Sequence, residues 1–117
     1  MAKRPAAAVL AIDVERFDGD MAVVRCRGRL VAGVTQLLYA RVDALMPETQ
    51  RVVLDLSGLE YTDSMGLGTL VRLYVTARAA GCTLELLNLS QQIRHLLGLT
   101  NMLDVLPVIG DDSLEFG

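Results

Sequence analysis

The chain has 117 residues, of which 52% are apolar, 4% aromatic and 21% charged, and its net charge at neutral pH is −3. That is enough apolar material for one aliphatic core and too much for long disorder, so a single domain over residues 1–117 is expected, with its core at about 9–109. The eleven basic residues are scattered along the chain, which argues against direct nucleic-acid binding, since that leaves a clustered basic face.

At the N-terminus, Lys3 and Arg4 precede seven apolar residues, 6–12, before Asp13. A secretory signal needs a cleavage site and a membrane span needs about 20 apolar residues, so the expected location is cytoplasmic with no membrane span. Residues 9–16 then alternate, with Leu10, Ile12 and Val14 opposite Asp13 and Glu15, as in a strand with one wet face. Asp18-Gly19 marks a turn, and residues 21–27 alternate again, giving an antiparallel hairpin. Residues 28–33 read as a connection. Val34, Leu37, Leu38, Val42, Leu45 and Met46 follow at helical spacing up to Pro47.

Residues 51–56, Arg-Val-Val-Leu-Asp-Leu, are a short apolar run typical of a buried strand. After Tyr61-Thr62-Asp63-Ser64, a second helix is expected from the spacing of Leu67, Leu70, Val71, Tyr74 and Ala77, with Gly81 as its left-handed terminator. Residues 82–89 form a further strand with Cys82, Leu84 and Leu86 on one face. Ser90 caps a short helix carrying Ile93, Leu96 and Leu97 and closed by Gly98. Residues 105–109 give a last short strand, held at an edge by Pro107, and residues 111–116 a terminal helical turn. The order β-β-α-β-α-β-α defines an α/β fold, a mixed sheet of four to five strands with flanking helices joined by right-handed crossovers. Cys26 and Cys82 fall in strands without metal-site spacing and are expected as buried, reduced core residues.

The junction around Ser64 carries the chemistry. Ser64 is placed as the N-cap of the second helix, where its hydroxyl would accept from an orphan backbone N–H. Asp63 offers a second cap. Gly66 and Gly68 each cost about 1 kcal/mol of helix propensity against alanine in the first turn, which suggests an open backbone patch. Gly66→Ala is accordingly expected to leave the fold unharmed while weakening partner access.

Asp63-Ser64-Met65-Gly66-Leu67-Gly68 resembles the Asp-Ser-x-Gly-Leu-Gly motif of the anti-sigma factor antagonist family, the bacterial STAS domains. The resemblance covers residues 9–109 in the length and order of the elements. It implies that Ser64 is phosphorylated by a partner anti-sigma factor serine kinase and dephosphorylated by a serine phosphatase. It also implies a partner-contact surface of Asp63, Ser64, Met65, Gly66, Gly68 and Arg72, in a protein that is not an enzyme and carries no cofactor. Two features depart from the family pattern. Met65 replaces a second serine, and Gly28-Arg29-Leu30-Val31 replaces Gly-Glu-Leu-Asp, so two acids are gone and one gives way to a cation.

Other readings keep the same residues in view. The fold also serves as an accessory subunit of lipid-transport ATPases or as a scaffold piece of stress-sensing assemblies, with Ser64 only a cap. A serine nucleophile would want Gly-x-Ser-x-Gly, but Thr62 stands at the first glycine, and the sole histidine, His95, would have to be the base. No phosphate-cradling glycine loop with its lysine is present, so nucleotide binding is not expected. Arg72 and Arg78 are expected on a solvated helix face, and His95 on the surface.

Overall fold

The computed structural model describes residues 9–18 and 20–109. The strands are β1 (Leu10–Phe17), β2 (Met21–Leu30), β3 (Arg51–Thr62), β4 (Thr83–Leu87) and β5 (Val108–Ile109), and the helices are α1 (Thr35–Leu45), α2 (Ser64–Ala79) and α3 (Gln91–Leu99). The sheet runs in the order β1-β2-β3-β4-β5. β1 and β2 pair antiparallel, and every other neighbour is parallel. Because each crossover steps to the next strand in the same direction, right-handed connections place all three helices on one face. Their buried residues, Leu38, Val42, Leu70, Leu73, Ile93 and Leu97, accordingly join one cluster with Val24, Cys26, Val52, Leu54, Leu84 and Leu86 of the sheet.

Among the described residues, the opposite face of the sheet carries charged side chains instead of helices. Val23 and Val53 are register partners, are buried, and lie outside the core cluster. Around them Arg25 bridges Glu15 (2.7 Å) and Asp55 (3.7 Å), Arg27 meets Asp13 (2.8 Å), and Arg51 meets Glu85. These arginine side chains stay largely in water, Arg25 at 42%, Arg27 at 60% and Arg51 at 45% exposure. Such exposed pairs add little stability singly; together they set three arginines against four carboxylates.

Several boundaries move from their expected positions. β3 extends to Thr62 instead of stopping at Leu56, and it does so by register shifts against β2 between Arg25 and Arg27 and again between Gly28 and Arg29. The extra residues of β3 fall at Leu56-Ser57, opposite Cys26, and at Glu60, and such a bulge bends a strand without ending it. β2 likewise continues to Leu30 through part of the expected connection. α1 ends at Leu45, and Pro47 sits in a 3-10 turn after it. Gly81 closes α2 as expected, at φ +75°. Cys82 N–H donates to Ala77 O (2.8 Å) and Gly81 N–H to Arg78 O (3.2 Å), the paired bonds of a Schellman termination.

Gly98 does not close α3. The helix runs to Leu99 and the left-handed residue is Asn101, at φ +61°. Cys82 lies just before β4, and both cysteines are buried and free; burial pushes the Cys26 thiol up to about 12, with Asp55 adding to the effect. β5 is only Val108–Ile109 at the sheet edge, with Pro107 contributing its carbonyl to Leu86 N–H (2.8 Å). The expected turn at 111–116 lies outside the described residues.

The α1 stripe splits at one pair of neighbours. Leu38 is fully buried, whereas Leu37 is 37% exposed over the β1 edge. Leu38→Ala should therefore cost about 2–5 kcal/mol, and Leu37→Ala less than about 1 kcal/mol, by the burial each removes. Urea denaturation of the two variants checks this.

Candidate functional site

The parallel strands β2 and β3 both end where α2 begins, and a small set of bonds ties these ends together. Thr62, wholly buried, donates its hydroxyl to Leu30 O at 2.7 Å. Asp63 N–H reaches the same carbonyl at 3.4 Å. Asp63 then has extended backbone (φ −102°, ψ −172°) and α2 starts at Ser64. The cap of α2 is therefore Asp63, and Ser64 is its first helical residue, so the helix starts one residue earlier than the sequence suggested. Asp63 Oδ1 accepts from Gly66 N–H (2.9 Å), the bond expected of a capping carboxylate toward the third helical residue. Its Oδ2 accepts from Ala32 N–H in the β2–α1 loop, also at 2.9 Å.

One carboxylate thus closes the helix start and pins the adjacent loop. The Ala32 bond is the larger cause, and the Gly66 bond the next, of holding the Asp63 carboxyl below its ordinary value. Both oxygens serve backbone amides, so Asp63 is engaged in architecture instead of reaching for the Ser64 hydroxyl.

Gly66 corrects an expectation. It is buried, not part of an open patch, and a Cβ there would sit 1.9 Å from Thr62 Oγ1 and 2.2 Å from Leu30 O. Only a glycine lets the first turn of α2 lie against the end of β2. Gly68 differs: it is exposed, and a Cβ would meet nothing within 4 Å. The side-chain-free patch is therefore confined to Gly68, next to exposed Ser64 and to Met65, which is 57% exposed. Tyr61, 50% exposed, stands just before the junction.

The remaining sequence candidates separate from this group. The apolar face of α2 is centred on Gly66, Thr69, Leu70, Leu73 and Ala77, leaving Leu67, Val71 and Tyr74 only half-buried. Arg72 is exposed, two turns past Ser64, and stacks over the Tyr39 ring of α1 at 4.5 Å. Arg78 lies over Tyr74 and donates to its hydroxyl at 3.1 Å. His95 is on the surface of α3, lining a shallow cleft of about 530 Å³ with Glu60, Tyr61, Thr62, Gln92, Ile93 and Leu96. Ser90 caps α3 as expected, accepting from Ile93 N–H (3.3 Å). Its hydroxyl also donates to Leu59 O (3.2 Å), fastening α3 to the extended part of β3. Sequence reasoning missed Thr62, Leu30 and Ala32. A threonine at a strand end is the only one of the three that leaves a trace, because the other two act through backbone atoms that any residue possesses.

The family model for the STAS domain matches residues 11–113, and the chain belongs to that family. It is similar to an anti-sigma F factor antagonist of Paenibacillus polymyxa, 23% identical in a 105-residue alignment that covers 88% of this chain and 89% of the relative. An anti-sigma factor antagonist from Mycobacterium paratuberculosis superposes with a TM-score of 0.76 at 23% identity, over 96% of this chain and 93% of the other. The Bacillus cell-fate determinant SpoIIAA, solved in its phosphorylated form, superposes with a TM-score of 0.67 at 17% identity, over 88% and 95%. At these identities the structures speak to the fold. Among the described residues no helix is long and apolar enough to cross a membrane.

Two expected outcomes follow from this geometry. Gly66→Ala should destabilise the domain by about 2 kcal/mol or more, since overpacking a filled site costs 1–3 kcal/mol and the Thr62–Leu30 bond must also give; Gly68→Ala should stabilise it by up to about 1 kcal/mol. Thermal melts of the pair measure this. Asp63→Asn keeps one carbonyl acceptor for Gly66 but turns an amide donor toward Ala32 N–H, and should cost about 1–2 kcal/mol at pH 7. The carboxyl is depressed in the folded state, so its contribution is complete above the unfolded value near 3.9 and is lost as pH falls through the folded value. The gap between wild type and Asp63→Asn should therefore hold from pH 7 to about 5 and close below about 4, as read by denaturant midpoints across pH.

Proposed function

We propose that this chain is an anti-sigma factor antagonist, a binding module switched by phosphorylation of Ser64. Unphosphorylated, it binds an anti-sigma factor serine kinase and so frees a sigma factor; the phosphorylated form is released, and a serine phosphatase resets it. The observation that carries this reading is the placement of Ser64: an exposed hydroxyl on the first residue of a helix whose start is held rigid by Asp63 and Gly66. A kinase needs an accessible acceptor in one defined position, and positioning is most of what a protein substrate can supply to phosphoryl transfer. The similarity to the Paenibacillus antagonist and to a relative solved in phosphorylated form supports the same reading. Ser64, Met65 and Gly68, with Tyr61 beside them, form the contact surface. Asp63 and Gly66 shape it from beneath. Arg72, occupied by Tyr39, lies toward its margin.

A charge on residue 64 should act on the partner and leave the fold intact. At the first helical position it gains about 0.3–1 kcal/mol from the helix dipole, and loses about 1 kcal/mol to Asp63 if the charges are some 4 Å apart in water. The two nearly cancel. Desolvated against a partner, the same charge costs several kcal/mol. Ser64→Asp should keep its denaturant midpoint within about 0.5 kcal/mol and bind the kinase roughly a hundredfold more weakly. Ser64→Ala should bind and accept no phosphate. Calorimetry with the kinase, and intact mass after incubation with ATP, test both; equal affinities for the two variants, or phosphate on Thr62, Thr69 or Ser57, would contradict the proposal.

A further inference from the structure

Arginines on the β2 side of the sheet follow a pattern that breaks at one position. Arg25 and Arg27 each hold carboxylates of neighbouring strands. Elsewhere Arg16 and Arg51 are ion-paired, and Arg72 and Arg78 lie on tyrosine rings. Among the described residues, Arg29 and Arg41 are the arginines left without such a partner. Arg41 belongs to α1, beside the outer strand β1. Arg29 is the last exposed residue of β2, in register with Tyr61.

That register places Arg29 at the same end of the sheet as Ser64. Its neighbour Leu30 accepts a bond from Asp63 N–H, so Arg29 and Ser64 are each one residue away from a directly bonded pair. Consecutive Cα atoms are about 3.8 Å apart, so the Arg29 and Ser64 backbones lie at the same end of the sheet, where a long side chain such as arginine's has room to turn toward residue 64. The two acids closest in sequence to Ser64 do not claim it. Asp63 is held by Ala32 and Gly66, and Glu60 makes no ion pair with Arg29.

We propose that Arg29 is the residue that receives the phosphate when Ser64 carries one. This rests on Ser64 being the modified serine. The guanidinium would clasp the phosphoserine oxygens of its own chain, the geometry arginine is suited to. It would offset the repulsion from Asp63 and Glu60 and add to the favourable field at the start of α2. Phosphorylation would then change the contact surface twice, by adding a dianion at residue 64 and by withdrawing the exposed cation at residue 29 from a partner. Arg29 is in this sense a specificity residue of the phosphorylated state.

The test uses the full chain with phosphoserine placed at position 64 during translation, so no kinase is needed. Titration by phosphorus NMR reads the second ionisation of the phosphate, near 6 when unperturbed. A guanidinium in contact favours the dianion and lowers that value, whereas Asp63 and Glu60 raise it equally in every variant. The value in the wild-type chain should lie about half a unit or more below that of Arg29→Gln, with Arg29→Lys between them and Arg41→Gln equal to wild type. Circular dichroism and denaturant midpoints of the same samples establish that each variant is folded. The inference is overturned if Arg29→Gln titrates with the wild type, or if Arg41→Gln moves as far as Arg29→Gln. A kinase that ignores Ser64 would sink the antagonist reading and leave this result standing.

Discussion

The Leu30 carbonyl and the Asp63 carboxylate are the two acceptors on which the site depends. Leu30 O takes the Thr62 hydroxyl and the Asp63 amide and lies against Gly66. The Asp63 carboxylate takes the amides of Ala32 and Gly66. Between them they join the end of β2, the loop after it, the end of β3 and the first turn of α2. Buried or half-buried polar groups at such a junction must be paired, because an orphan amide costs 1–3 kcal/mol. The pairing leaves Ser64 exposed on an otherwise committed turn.

Two faces of the molecule differ. The helix side is closed by aliphatic packing, with Leu38, Leu70, Leu73 and Leu97 fully buried. The other side, among the described residues, carries arginine–carboxylate pairs on the strands that hold buried Val23 and Val53. Among the described residues, what is exposed at the Ser64 end is a small set of groups: the serine itself, Met65, Tyr61 and the bare backbone of Gly68, with Arg29 exposed at the end of β2. A single phosphate can change the character of a surface that small. Its cost to the domain is slight because the helix dipole and the Asp63 charge oppose each other there.

Much of the architecture was legible because periodicity and punctuation are local. The alternation of Leu10, Ile12 and Val14, the run Val52-Val53-Leu54, the Gly81 terminator and the Ser90 cap all stand where the pattern placed them. The errors arose where partners distant in sequence decide. Ser57-Gly58 has the composition of a turn, yet pairing with β2 carries β3 on to Thr62 through bulges. Leu37 and Leu38 both fit a helical stripe, and only packing against the sheet tells them apart. Ser64 and Asp63 are both good caps, and the choice went to the aspartate because its second oxygen could also reach Ala32, 31 residues earlier. Gly66 and Gly68 look alike in sequence; the Leu30 carbonyl beside one of them makes it indispensable to packing.

The central claim, that one carboxylate couples the β2–α1 loop to the start of α2, is tested most directly by amide hydrogen exchange at Ala32 and Gly66. Ala32 is an exposed loop residue whose N–H has Asp63 as its acceptor, so a free loop there would exchange at nearly unprotected rates. The coupling predicts that both amides are protected in the wild type and that Asp63→Ala abolishes both protections while the β3 amides keep theirs. An Ala32 amide that exchanges freely in the wild type, with Gly66 still protected, would contradict it.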